Sequence, residues 1–496
     1  MSDLNLPHYK LFIDGEWVEG AANKKMPTIN PATGDAWATF ACAEPEDVER
    51  AVKAARRSLS DPQWAGITPS ERGVLLNRLA DLLEENSAAL GAVETSDSGK
   101  LAAETQSQAR YVAQYYRYYA GLADKIEGHT LPIDKADMHV FTKPEPIGVV
   151  AAVVPWNAQM FLTATKLAPA LAAGCSVIIK ASEIAPVAIL EFARLIEQAG
   201  FPKGVVSVIT GDAVGCAIPL TSHPDIDRLA FTGGPETAKH VVRNTAENFA
   251  VTSLELGGKS PILVFEDADL ESATNGILAG NFGASGQSCV AGSRVYIQRG
   301  LYKELVSRLL KATAEIRVGN PLDSTSHIGP LCTMAQVEGI EAALLKAKEQ
   351  GASVLAGGHR LAELGSEHYF APTIVECPDF ETLTLKAELF GPVMSIACFD
   401  TEEEAIALAN DSEFGLGSGV FTENLSKALR VSQQIKSGIC WVNTYRAISP
   451  VAPFGGVNQS GYGREAGIQA IQDYIRVRTT WINTSSEPMG NPFVMR

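Results

Sequence analysis

Three short segments carry residue types suited to nucleophilic chemistry. Gly286-Gln287-Ser288-Cys289 lies in the Gly/Ser-rich run GNFGASGQSCVAG, where small neighbours let backbone N–H groups and a substrate approach the thiol. A free thiol with a pKa of about 8.5 is only a few per cent thiolate at neutral pH, so it needs a base or local dipoles to react. On local sequence alone a buried small hydrophobe is the competing reading. Glu255-Leu256-Gly257-Gly258-Lys259 follows the apolar run VTSL. A carboxylate at a strand end, followed by glycines, is where α/β folds display catalytic groups; a solvated strand-end glutamate is the alternative. Pro155-Trp156-Asn157 closes VVAAVV and precedes a helical stretch. Asn157 caps that helix or turns its amide into a cleft to hold an oxyanion. Nucleophile, base and oxyanion donor each have a candidate.

The elements that must position them follow from periodicity. Apolar spacings of three and four predict amphipathic helices over 46–59 and 69–86, with a third around 102–124. The turn-rich segment 126–146 reads as a hairpin leaving the main body. From Val149 the texture changes to short apolar runs, Val149–Val154, Ser176–Ile179, Val205–Ile209, Arg228–Phe231 and Ser253–Leu256, alternating with helical stretches such as 160–172 and 186–199. That alternation indicates parallel βαβ construction. It resumes after Ser260, with helices near 301–316, 334–350, 402–410 and 424–436. The expected fold class is α/β: two parallel α/β domains sharing a cleft, with the hairpin as an appendage. The usual dinucleotide fingerprint is missing. Its nearest match, GYGREA at 461–466, follows a loop rather than a strand and reads as a tight turn.

Composition narrows the field. At roughly 150 residues per domain, 496 residues make three domains, or two with an elaboration. Lys and Arg number 41 against 57 Asp and Glu, a balance of −16 that would repel a phosphate backbone, so no nucleic-acid partner is expected. The longest apolar run, Val149–Val154, is far short of the ~20 residues of a membrane helix, and the first twenty residues hold no signal-like run. Eight scattered cysteines without a CxxC read as reduced thiols, not a disulfide frame or zinc site. No metal is expected, and the location expected is cytoplasmic. None of the eight histidines falls in a motif, which argues against a cysteine–histidine hydrolase.

The three segments belong to a longer ordered series: LFIDGEWV at 11–18, NPATG at 30–34, DSGK at 97–100, PWN at 155–157, FTGG at 231–234, ELGGK at 255–259, GQSC at 286–289, ELFGPV at 388–393, and PFGG at 453–456 with Ser460-Gly461. In this series, almost end to end, the chain resembles the NAD(P)-dependent, non-acylating aldehyde dehydrogenase superfamily. The resemblance implies that Cys289 attacks an aldehyde to give a thiohemiacetal. The Asn157 amide and the Cys289 backbone N–H would hold the oxyanion, hydride would leave for the nicotinamide, and Glu255 would activate water to hydrolyse the thioester. It also implies that Lys180 and Glu183, in KASE, bind the adenosine ribose, and that Gly233 and Gly234 admit the pyrophosphate to a helix N-terminus. Trp156 would line the cofactor cleft, Glu388 hold the nicotinamide ribose and Phe390 support the ring. NAD is expected over NADP, because the Glu183 carboxylate would oppose a 2′-phosphate, with Lys180 partly compensating.

Departures from the family bear on substrate. Gly234 stands where serine is more common. Ala158 and Thr165 stand where aromatics are common and, seven apart, are expected on one helix face. With Tyr111 and Tyr115 they would form a wide tunnel for a bulky aromatic or cyclic aldehyde. The tyrosine stripe, which includes Tyr118, also reads as core packing. Arg446 reads as a solvated loop residue or as the partner of a substrate carboxylate. A dicarboxylic semialdehyde dehydrogenase, a CoA-acylating relative and a non-catalytic binding protein on the same fold are the alternatives; Glu255 argues against the CoA-dependent one. The expected coenzyme-binding domain is 1–125 with 147–256, and the catalytic domain is 257–470. The resemblance further implies that residues 126–146 and 471–496 form an oligomerisation element, the exposed hairpin edge pairing with a C-terminal strand at 474–483, in a homodimer or homotetramer.

Overall fold

The computed structural model describes residues 6–494. The apolar runs from Val149 onward form the five parallel strands of an eight-stranded sheet. Across it lie Gly461–Tyr462, Val251–Glu255, Arg228–Thr232, Val149–Val153, Ser176–Lys180, Val206–Ile209, Leu11–Ile13 and Glu16–Val18. The middle strands are buried on both faces, which explains their continuous Val/Ile/Ala character. On one face pack the helices Pro69–Glu85, Ala102–Leu122, Gln159–Ala173 and Val187–Ala199, through residues such as Leu79, Tyr116, Leu171 and Phe192. On the other lie Pro45–Ser58 and Pro235–Asn244, through Val48, Val52, Ala238 and Val241.

Strand Val149–Val153 comes first in the chain among the parallel five, yet it sits between the second, Ser176–Lys180, and the fourth, Arg228–Thr232. The connections therefore run in opposite directions from it. In such sheets the crevice at the strands' carboxyl ends, at this reversal, is the ligand site. The residues that leave those two ends are Trp156 and Asn157 from one and Gly233 and Gly234 from the other.

A second, seven-stranded sheet has Ser353–Ala356, Thr373–Glu376, Val393–Phe399, Arg294–Gln298, Pro261–Val264, Gly417–Phe421 and Ile439–Val442 in that order, parallel except at the first. Cys289 precedes one of its central strands and Glu388 and Phe390 another, so this sheet contributes the loops at its strands' amino ends. Strand Met138–Pro146 pairs antiparallel with Ile475–Asn483 over nine residues, the expected pairing. One expected boundary shifts. The chain returns to the first sheet before residue 470: Gly461–Tyr462 pairs with Val251–Glu255, and Ala466, Ala470 and Ile471 join the first core. GYGREA is thus a turn and a two-residue edge strand, with Gly461 and Gly463 at positive φ. Among the described residues no helix is long and apolar enough to cross a membrane.

Candidate active site

The loop before Cys289 is built against conformational preference. Ala284 (φ 53°) and Ser285 (φ 55°) are left-handed, a conformation that costs a non-glycine residue about 1–3 kcal/mol. It persists because the loop is fastened on several sides. Ala284 N–H donates to Glu104 Oε1 (3.0 Å), Ser285 Oγ to the Gly329 carbonyl (2.8 Å), and the Gln287 side-chain oxygen accepts the Cys332 N–H (2.8 Å). A Cβ on Gly286 would stand 2.2 Å from the Gly391 carbonyl, so only glycine lets this loop lie on the one that carries Phe390.

Asn157 and the thiol loop are joined directly. Asn157 Nδ2 donates to the Gln287 carbonyl at 3.0 Å, two residues before Cys289. An amide carries two donors, so the second N–H is available to an oxyanion. Asn157 does not cap the following helix. That helix starts at Gln159, its N-cap is Ala158, and no side chain caps it.

Cys289 is partly exposed. Burial of its sulfur pushes the thiol up to about 12, and the carboxylates of Glu388 and Glu255 push the same way, while Arg446 and the residue's own N–H pull against them. Glu255 ends the strand Val251–Glu255 and is buried, and neither carboxylate oxygen has a hydrogen-bond partner among the described residues. Burial raises its pKa well above the usual carboxylate range. The nearby Glu465 raises it further, and Lys166 and Arg464 lower it. The PFGG loop closes over it: at Gly455 (φ 152°) a Cβ would come within 2.7 Å of Glu255 Oε1.

The residues expected to hold coenzyme gather at the crevice. Gly234 is the N-cap of Pro235–Asn244, with open space where a side chain would point, so an anion has room at that helix end. Lys180 and Glu183 are paired at 2.6 Å at the end of Ser176–Lys180. The rings of Trp156 and Phe390 meet edge to face at 5.4 Å. Gly258 N–H fixes Glu388 Oε1 at 3.0 Å, and burial lifts the Glu388 carboxyl to about 7.

Beside Cys289 a cleft of about 320 Å³ is lined by Asn157, Ala158, Phe161, Tyr111, Ser288 and Arg446, among others. Ala158, Tyr111 and Arg446 are there as expected for pocket residues. Thr165 and Tyr115 are not. Because Ala158 lies outside the helix (φ −147°, ψ 56°), the seven-residue spacing does not put Thr165 on its face. Thr165 is buried and donates to Glu465 Oε2 at 2.6 Å. Tyr115 is also buried and packs edge-on behind Phe161 at 5.4 Å. The Tyr111 hydroxyl donates to the Ile448 carbonyl at 2.8 Å.

Phe161, Glu465 and Lys166 carry no signal in the sequence that marks them for the site. Lys166 Nζ pairs with Glu465 Oε1 (2.5 Å) and donates to Thr232 Oγ1 (2.6 Å) in full burial. A charged lysine in the otherwise apolar stretch MFLTATKLAPALAA signals a buried partner; nothing in the sequence says which.

The amino-acid sequence matches the model of the Aldehyde dehydrogenase family over residues 17–480. It is 51% identical over 492 residues to the (Z)-2-((N-methylformamido)methylene)-5-hydroxybutyrolactone dehydrogenase of Acinetobacter baylyi, a match covering 99% of this chain and 100% of that one. Among solved structures, the betaine aldehyde dehydrogenase of Staphylococcus aureus in complex with NAD+ superposes with a TM-score of 0.96 at 36% identity, over 98% of this chain and 97% of that one. The NAD+ complex of an aldehyde dehydrogenase from Bacillus cereus does so with a TM-score of 0.94 at 39% identity, over 97% and 98%.

Proposed function

Because this chain belongs to the aldehyde dehydrogenase family and is an NAD-dependent oxidoreductase acting on an aldehyde, we propose that Cys289, Asn157 and Glu255 divide the reaction among them. The carrying observation is a buried carboxylate without hydrogen-bond partners, Glu255, whose charge bears on the thiol of Cys289. Cys289 Sγ, its proton released to solvent, bonds to the aldehyde carbon. The oxyanion so formed takes the free N–H of Asn157, and such preorganised donors are usually a large part of the rate. NAD, held in the crevice, would supply the hydride acceptor, and a thioester would stay on Cys289. Glu255 then takes a proton from water as its oxygen attacks the thioester carbon, releasing the acid and restoring the thiol. A base with a raised pKa suits this step, since proton-transfer power rises with basicity.

Coenzyme would rest on Gly233 and Gly234 at the pyrophosphate, Lys180 and Glu183 at the adenosine ribose, and Trp156, Glu388 and Phe390 around the nicotinamide end. The proposed substrate class is bulky and cyclic. Ala158 leaves one wall of the cleft open, Phe161 and Tyr111 supply aromatic walls, and the relative at 51% identity is named for a substituted hydroxybutyrolactone. A ring that buries about 100 Å² more than acetaldehyde gains about 2.5 kcal/mol, more than tenfold in kcat/KM. We also assign assembly into a homo-oligomer to the ribbon of Met138–Pro146 and Ile475–Asn483.

The test is NADH formation from acetaldehyde, hexanal, benzaldehyde and betaine aldehyde, with and without CoA. Turnover independent of CoA, with benzaldehyde above acetaldehyde, is expected. A requirement for CoA would remove water as the acceptor, and a preference for acetaldehyde would remove the bulky class.

A further inference from the structure

Resting on the aldehyde-oxidising reading above, we infer that Arg446 makes the cleft beside Cys289 a carboxylate-binding subsite, and that the substrate is an oxo carboxylate or the hydroxylactone into which a γ-oxo carboxylate closes. The guanidinium lines the cleft together with Asn157, Ala158 and Ser288. Its Nη1 donates to the Ala279 carbonyl at 3.1 Å, and among the described residues it forms no ion pair. Of its five N–H donors, the others are open to a ligand.

The position is built. Arg446 is held left-handed at φ 63°. Gly283 makes room for it, since a Cβ there would stand 2.1 Å from Nη1. The other cationic group and the phenol lining the cleft are committed. Lys100 is paired with Glu94 and donates to Gln108 Oε1 at 3.2 Å, and the Tyr111 hydroxyl is bonded to Ile448. Glu104 lines the same cleft and opposes an anion, but its Oε1 accepts the Ala284 N–H. Arg446 also stands close enough to Cys289 for its charge to act on the thiol. A planar guanidinium takes a carboxylate through two parallel hydrogen bonds, a geometry that an uncharged aldehyde cannot supply.

The lactone form needs no second enzyme chemistry. When a 5-hydroxylactone opens, the ring C–O bond breaks and the ring oxygen becomes a carboxylate oxygen. The hydroxyl oxygen keeps its carbon as the aldehyde carbonyl, and its proton is released. This is an isomerisation and an ionisation, with no change of oxidation state. The carboxylate so uncovered is the group for Arg446, and the aldehyde is the group for Cys289. A quaternary ammonium aldehyde would meet the same guanidinium as a like charge.

The experiment compares kcat/KM for succinic semialdehyde and for pentanal, which matches its length without the charge, in the wild type and in Arg446→Met, Arg446→Lys and Glu104→Gln. The wild type should prefer the semialdehyde by more than tenfold. Arg446→Met should erase at least tenfold of that ratio, chiefly through KM, Arg446→Lys should restore part of it, and Glu104→Gln should enlarge it. Equal use of both aldehydes by the wild type, or a preference that survives Arg446→Met, would overturn the subsite while leaving aldehyde oxidation intact. No NADH from either aldehyde would overturn the oxidation reading itself, and the subsite with it.

Discussion

Burial acts on Cys289 and Glu255 in the same direction, toward the protonated form. A thiol raised to about 12 is thiolate in roughly one molecule in 10⁵ at pH 7. The thiolate fraction rises as pH rises, so alkylation of Cys289 by iodoacetamide in the coenzyme-free enzyme should accelerate about tenfold per pH unit from 7 to 10. Labelling kinetics with peptide mapping read this directly, and a plateau below pH 9 would mean an unperturbed thiol. Glu255 is likewise a base only once deprotonated. Its pKa is raised, so thioester hydrolysis should increase with pH above the ordinary carboxylate range. Glu255→Gln should release one burst of NADH and then stall, and Cys289→Ala should give none, as single-turnover absorbance would show. Both variants should fold: the first is isosteric, and the second sits in a loop of small residues.

At the scale of elements, the site is made of strand ends and the glycines that follow them. Gly257 is the sharpest case, because a Cβ there would lie 2.0 Å from Glu388 Oε2. Gly257→Ala should displace that carboxylate and raise KM for NAD about tenfold, measured at saturating aldehyde; an unchanged KM would detach Glu388 from coenzyme binding. We assign coenzyme choice to the end of Ser176–Lys180. There Glu183 is paired with Lys180, and in the proposed coenzyme site its negative charge would oppose a 2′-phosphate. Glu183→Gln should narrow the preference for NAD over NADP by raising kcat/KM for NADP several-fold, in paired assays with the two coenzymes. In the helix Gln159–Ala173, a start one residue after Ala158 turns Phe161 to the cleft and Thr165 to Glu465.

In the molecule as a whole, the carboxyl ends of one sheet's strands face the amino ends of the other's, and the cleft is the seam. The ribbon stands outside this seam. Its second strand leaves Val477 and Trp481 61% and 56% exposed, four residues apart and hence on one face. To this apolar face, open to water, we assign the proposed self-association. Val477→Glu with Trp481→Glu should lower the assembled mass in light scattering, and an unchanged mass would take the ribbon out of the interface.

Local patterning determined the βαβ order, most helices to within a residue or two, and the strand-end placement of Glu255 and Asn157, while the pairing of the ribbon's edges followed from the family resemblance. The patterned features are legible because period and punctuation report which face of an element is apolar and where it stops. Tertiary structure alone decided that Glu465 would stand beside Glu255, some two hundred residues away in the chain. It also decided that Lys166 would be spent on Glu465, and that Phe161 rather than Thr165 or Tyr115 would wall the cleft. Periodicity says that a face is buried and not what closes over it. Ala158, from which the seven-residue spacing to Thr165 runs, lies outside the helix. A carboxylate becomes a base, and an arginine an open cation, only through desolvation and partners supplied by several elements at once, and those exist only when the chain is packed.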